Sequence, residues 1–148
     1  KGDVLAAFSD KLPYFNTFGG NPVSIAAAQA VLKYIKDENL QEHCKKAGAA
    51  LLKALKEVQE RHPESVGDVR GVGLFLGFEF VKNDGNKTPD KDMALNVIEM
   101  LRDEHILTLV IGHYGNILKL RPPMVFSEND IDWFATSLDK CITKLENK

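Results

Sequence analysis

Apolar residues recur at two spacings along the chain, and the change from one to the other falls near residue 64. Before it, the steps are three and four. Residues 4–9 read as the end of a helix, followed by a loop over 10–20. Asn21 is a good N-cap, and Pro22 suits the first helical position, where its missing donor costs nothing. The helix expected from Pro22 to about Lys36 carries Ala26, Ala27, Ala28 and Ala30. Such small residues admit close neighbours, so this helix is expected to be buried on more than one side. Asp37-Glu38-Asn39 interrupts the pattern. Leu40, Cys44, Ala47, Leu51, Leu55 and Val58 then mark one face of a long helix that ends at His62-Pro63. Lys45, Lys46, Lys53, Lys56 and Glu57 make its solvated face.

From Val66 the period becomes two. Val66 to Arg70 predicts a short strand. A second strand follows, with Val72, Leu74, Leu76, Phe78 and Phe80 on one side. Its other side holds Gly71, Gly73, Phe75, Gly77, Glu79 and Val81, and the glycines there point to close backbone approach or a bulge. Asn83-Asp84-Gly85-Asn86 is a turn, and Thr88-Pro89 is expected to open a helix with Val97, Met100, Leu101 and His105 on one side. Ile106–Ile111 and Ile117–Arg121 predict two more strands around a Tyr114-Gly115-Asn116 turn. Ser127 and Asp130 match a capping box, with Asp in place of the usual Glu or Gln, ahead of a helix through Ile131, Phe134, Leu138, Cys141 and Leu145. The expected fold class is α+β: two N-terminal helices, then β-β-α-β-β-α with a mainly antiparallel sheet and helices on one face. Residues 1–62 are expected as a separate helical part and residues 63–148 as the sheet domain.

Composition narrows the function classes. A net charge of -2 with interspersed signs argues against a nucleic-acid surface and against a polybasic membrane patch. No apolar run approaches the roughly 20 residues of a membrane helix, and residues 1–13 lack the order of a signal peptide. Cys44 and Cys141 sit on apolar helix stripes without metal spacing and read as reduced core residues. His43, His62, His105 and His113 form no metal pattern and read as surface or helix-end residues; no metal is expected.

Three stretches are candidates for chemistry. The glycines of GVGLFLG, residues 71–77, lie within a strand rather than between a strand and a helix, so they are not a dinucleotide fingerprint. Thr17-Phe18-Gly19-Gly20-Asn21-Pro22 precedes a helix N-terminus, which favours anions, and glycines let the backbone approach a ligand. The segment reads either as a phosphate site with the Thr17 hydroxyl as an added donor, or as a glycine turn plus a helix cap. In Leu118-Lys119-Leu120-Arg121-Pro122-Pro123, alternation puts Lys119 and Arg121 on one face. Arg121 there reads either as a two-pronged grip for a carboxylate or as a surface arginine. No G-x-S-x-G segment and no self-contained catalytic constellation is present.

Taken together, NTFGGNP, the long helices after it, VGDVRGVGLFLGFEF and LKLRPPMVFSEND resemble the C-terminal part of class III, fold-type I, pyridoxal-phosphate-dependent aminotransferases. The blocks occur in the family's order over nearly the whole chain, closest to the alanine–glyoxylate aminotransferase 2-like branch, which includes phospho-lyases acting on phosphorylated amines. The resemblance implies that Thr17 reaches the pyridoxal 5'-phosphate phosphate group of the neighbouring subunit, and that Arg121 binds the substrate carboxylate. Asn16 stands beside Thr17, where relatives often have serine, and is a further cofactor-binding candidate. The resemblance also implies a homodimer and small-molecule amino and oxo substrates. Residues 1–62 would then be the edge of the large cofactor-binding domain and interdomain helices, and residues 63–148 the small C-terminal domain.

In the family, the lysine that holds the cofactor covalently lies upstream of the threonine segment. Only sixteen residues precede Thr17, and neither Lys1 nor Lys11 matches that lysine. The expectation is therefore an aminotransferase portion that is inactive alone, in a cytoplasmic or mitochondrial protein. The alternatives are a phospho-lyase and, from another class, a non-catalytic α+β binding or assembly module.

Overall fold

The computed structural model describes residues 1–11 and 13–147. Helix α1 covers Gly2–Ser9, α2 Pro22–Asp37 and α3 Leu40–Arg61. Strands β1 (Val66–Val72) and β2 (Phe75–Phe80) follow, then α4 (Lys91–Asp103), β3 (Leu109–Ile111), β4 (Ile117–Leu120) and α5 (Glu128–Glu146). The sheet is antiparallel throughout, in the order β1-β2-β4-β3. The α+β class and the β-β-α-β-β-α order are as expected.

The chain divides into two compact units, residues 1–38 and 39–148. The break between these compact units lies just before α3. The reason is the apolar stripe of α3: Leu51, Leu55 and Val58 are fully buried in one core with Val69, Leu76, Phe78, Leu118 and Leu138. Helix α3 packs on β1 and α5, while α4 packs on α5 and on β2, β3 and β4. A helix that lends this much apolar surface to the sheet belongs to the sheet's unit.

The first unit departs from expectation differently. Asn21 caps α2 as predicted, its side chain accepting from Val23 N and Ser24 N at 3.0 and 3.2 Å. Yet no residue of α2 is buried, although burial on more than one side is expected from its alanines. Val23, Val31, Leu32 and Tyr34 are exposed because nothing among the described residues of this unit covers the helix.

The glycine-rich stretch is a hairpin rather than one long strand. Val72 pairs with Phe75, leaving Gly73-Leu74 as a two-residue loop, and Gly73 takes φ +55° there. Positive φ at the first loop position matches strand twist and suits glycine. The loop shifts the phase of the alternation. Val72 consequently shares a face with Phe75 and is 89% exposed, whereas Val69, Leu76 and Phe78 face the core. The expected close approach occurs twice: a Cβ on Gly71 would overlap the Phe75 carbonyl, and one on Gly48 of α3 would overlap the backbone of Gly73.

Three boundaries shift. Helix α4 starts after an Asp90 cap whose carboxylate accepts from Met93 N at 2.9 Å, because Pro89 is used in a bridge to Val81. Strand β3 starts at Leu109 rather than Ile106, since β4 offers partners only from Lys119 back to Ile117. Strand β4 ends at Leu120, so Arg121 opens the loop. The capping box forms: Ser127 N donates to Asp130 Oδ2 at 2.8 Å, and Asp130 N to Ser127 Oγ at 3.3 Å. Replacing Ser127 with alanine is expected to cost about 1 kcal/mol, which lowers the thermal midpoint by about 4 °C in scanning calorimetry. An unchanged midpoint would remove the box from the forces holding α5.

His62, expected at the surface or a helix end, caps α3 but is only 6% exposed. Its Nδ1 lies 2.7 Å from Glu146 Oε2 and its Nε2 3.1 Å from Asp139 Oδ1. The apolar C-terminal turns of α3 and α5 draw it inward, and the two carboxylates of α5 satisfy both ring nitrogens. Of the two cysteines, both free, Cys141 is in the core as expected while Cys44 is half-buried, with Sγ 3.9 Å from the Met124 carbonyl.

Candidate functional site

The Thr17 segment forms a tight turn held by its own side chains. Asn16 Oδ1 accepts from Phe18 N and Gly19 N at 3.1 and 3.0 Å, and its Nδ2 donates to Tyr14 Oη at 3.1 Å. Gly20 has φ +77°, where a Cβ would be strained. The amides at the start of α2 are taken up by Asn21. The bare helix terminus that would make an anion cradle is therefore already capped. What stays exposed is the Thr17 hydroxyl, for which the described residues provide no partner. A hydroxyl in that position suits a phosphate oxygen and requires nothing further from the turn.

Arg121 lies in the other unit, at the end of β4. Leu120 beside it pairs with Leu76, which places Phe75 and Arg121 side by side on the open face of the sheet. The guanidinium carbon sits 4.6 Å from the centroid of the Phe75 ring. The following loop is anchored to α3: His43 Nε2 donates to the Phe126 carbonyl at 3.0 Å, and Cys44 reaches the Met124 carbonyl. Neither anchor was visible in the residue pattern, because each joins residues about eighty positions apart.

A cleft of about 390 Å³ opens beside Arg121. Its walls are apolar: Leu51, Ile106, Leu109, Leu120, Phe126 and Phe134. Lys119, Arg121 and Thr108 also line it, and Thr108 Oγ1 donates to the Lys119 carbonyl at 3.2 Å. Arg61, Arg70 and Arg102 each hold a carboxylate, whereas Arg121 meets none among the described residues. An apolar concavity of this kind is a common form of small-molecule site.

Elsewhere the ionisable groups serve the fold. Burial pushes the Asp139 carboxyl up, but hydrogen bonds and charge from Arg61 and His62 outweigh it and hold it below its usual range. A carboxyl lowered in the folded state adds stability above its unfolded value of about 4, and that stability is lost as the pH falls through the folded value. Urea midpoints between pH 5 and 2 should therefore fall less steeply for Asp139→Asn than for the wild-type chain. Parallel curves would exclude this role. Among the described residues, no three His, Cys, Asp or Glu side chains are placed to hold a metal ion, and no helix is long and apolar enough to cross a membrane.

The second unit thus sets Arg121 beside an apolar cleft, and the first presents Thr17 exposed in a capped turn. Residues 3–142 match the aminotransferase class-III family, and the chain belongs to it. It is 44% identical over 142 residues to ethanolamine-phosphate phospho-lyase homolog 1 of Caenorhabditis elegans, covering 95% of this chain and 30% of that protein. It is 37% identical to the mitochondrial alanine--glyoxylate aminotransferase 2 homolog 2 of Arabidopsis thaliana, covering 95% and 29%. Among solved structures, a phospholyase from Arthrobacter in complex with phosphoethanolamine superimposes with a TM-score of 0.89 at 35% identity, covering 97% of this chain and 34% of that one. The chain thus spans about a third of the length of the relatives it matches. Members of the family are enzymes that use pyridoxal phosphate.

Proposed function

We propose that this chain is the C-terminal portion of a pyridoxal-phosphate-dependent aminotransferase that moves an amino group between an amino acid and a 2-oxo acid or aldehyde. The observation that carries the reading is Arg121: a guanidinium with no acid partner among the described residues, beside an apolar cleft of substrate size. Its in-plane N–H groups match the two oxygens of a carboxylate. Thr17 is the residue we assign to the cofactor phosphate of a neighbouring subunit in a homodimer. Asn16, with three partners inside the turn, shapes the loop that presents it. Pyridoxal phosphate, when bound, supplies the electron sink for bond breaking at the amino carbon. The residues of this chain bind and orient: Arg121 fixes the carboxylate end of the substrate, and the loop anchored at His43 holds the chain beyond Arg121 in place.

A phospho-lyase is the second reading, favoured by Lys119, a second basic residue that lines the same cleft. Two positive groups suit a phosphate dianion as well as a carboxylate. The full-length protein carrying this sequence should be given an amino acid with a 2-oxo acid or aldehyde, and separately phosphoethanolamine. Amino transfer to the carbonyl compound is the result expected. Release of inorganic phosphate from phosphoethanolamine without transfer would establish the second reading instead. The chain alone, mixed with pyridoxal phosphate and an amino donor, is expected to give no turnover.

A further inference from the structure

We propose that Phe75 is a positioning residue for Arg121, holding the guanidinium by its face so that its edge is left for a carboxylate. The inference rests on Arg121 serving as the carboxylate clamp. A guanidinium is a planar fork: its N–H donors lie in the plane, and its faces carry none. The charge centre of Arg121 is 4.6 Å from the Phe75 ring centroid, within the range of cation–π attraction. A ring held over the face of the fork accepts no N–H bond in the guanidinium plane, so such a contact consumes no donor. An acid partner would. Arg61, Arg70 and Arg102 illustrate this, with their donors directed at Asp139, at Asp68 and Glu79, and at Glu99 and Asp103.

The fold places the ring with little freedom. The Gly73-Leu74 loop makes Phe75 the first residue of β2, and the Leu76–Leu120 pair sets it beside Arg121. Phe75 remains 56% exposed, so its ring is not held there for the core. A large apolar side chain kept on the surface next to the arginine without an acid partner is accounted for by the stack.

The test uses the full-length enzyme and its best carboxylate-bearing amino donor. Phe75→Ala is expected to raise KM about fivefold, the size of an exposed cation–π contact, with kcat within about twofold because the ring touches no reacting atom. Phe75→Tyr should restore the wild-type KM, and Phe75→Leu, which keeps bulk but no π face, should behave like the alanine variant. An amine donor without a carboxylate should respond to none of these changes. A Phe75→Leu enzyme with wild-type KM would overturn the proposal, since bulk alone would then suffice. An unchanged KM for Phe75→Ala beside a raised KM for Arg121→Ala would overturn it while leaving the clamp standing. An unchanged KM for both would overturn the clamp and the proposal together.

Discussion

Arg121→Ala in the full-length enzyme is expected to lower kcat/KM for a carboxylate-bearing amino donor by roughly 60-fold. A hydrogen-bonded charge pair is worth about 2.5 kcal/mol when one partner is removed, and about 1.4 kcal/mol corresponds to each tenfold. The loss should fall on KM if the carboxylate is gripped equally before and during the chemical step. Arg121→Lys keeps the charge and loses the fork, so it should recover only part of the loss. A donor lacking a carboxylate should be indifferent to both changes. Unchanged steady-state kinetics with the carboxylate donor would take Arg121 out of the site and return it to a surface role. Because Arg121 is exposed and lies outside the core, the variants should keep wild-type urea midpoints, which separates lost binding from lost folding.

Gly48→Ala is expected to destabilise the second unit, although helix propensity alone predicts the reverse. In the interior of a helix, alanine is favoured over glycine by about 1 kcal/mol. Here α3 presses its Gly48 against the hairpin loop, and the added carbon would overlap the carbonyl of Gly73. Backbone cannot swing aside as a flexible side chain can, so helix and hairpin must separate. Overpacking of this kind costs about 3 kcal/mol, leaving a net loss of about 2 kcal/mol in chemical denaturation. Gly73→Ala fails for a different reason: its surroundings are open, but φ +55° disfavours a Cβ. A Gly48→Ala chain more stable than wild type would show that helix and hairpin do not meet closely at this point.

Local chemistry made most elements readable. The Ser127–Asp130 box, the Asn21 cap and the six-element order after α3 depend on neighbours in sequence, and all formed. The hairpin was harder to see because Val72 and Leu74 sustain an apolar alternation straight through a turn; only the geometry of Gly73 breaks its phase. His62 stands at a helix end as expected, but its burial was not legible because its partners, Asp139 and Glu146, lie on another helix, and a residue pattern carries no trace of contacts across that separation. The same limit applies to the site. Arg121 was singled out from its place at a strand end before two prolines. Phe75 beneath it, and His43 and Cys44 behind its loop, depend on strand register and helix docking. The exposed apolar residues of α2 show the converse: sequence predicts a buried surface, yet no described residue of the same unit covers it.

The strand order has a consequence for how the unit assembles. Hairpins β1–β2 and β3–β4 close over short loops, while the ladder between β2 and β4 joins Leu76 to Leu120 with all of α4 in between. Closing the longer loop carries the larger chain-entropy penalty and is the later event in a search governed by contact order. Phe75 and Arg121 meet only across that last ladder. The stacked pair therefore forms late, when the two hairpins dock, and its appearance during refolding would report completion of the sheet.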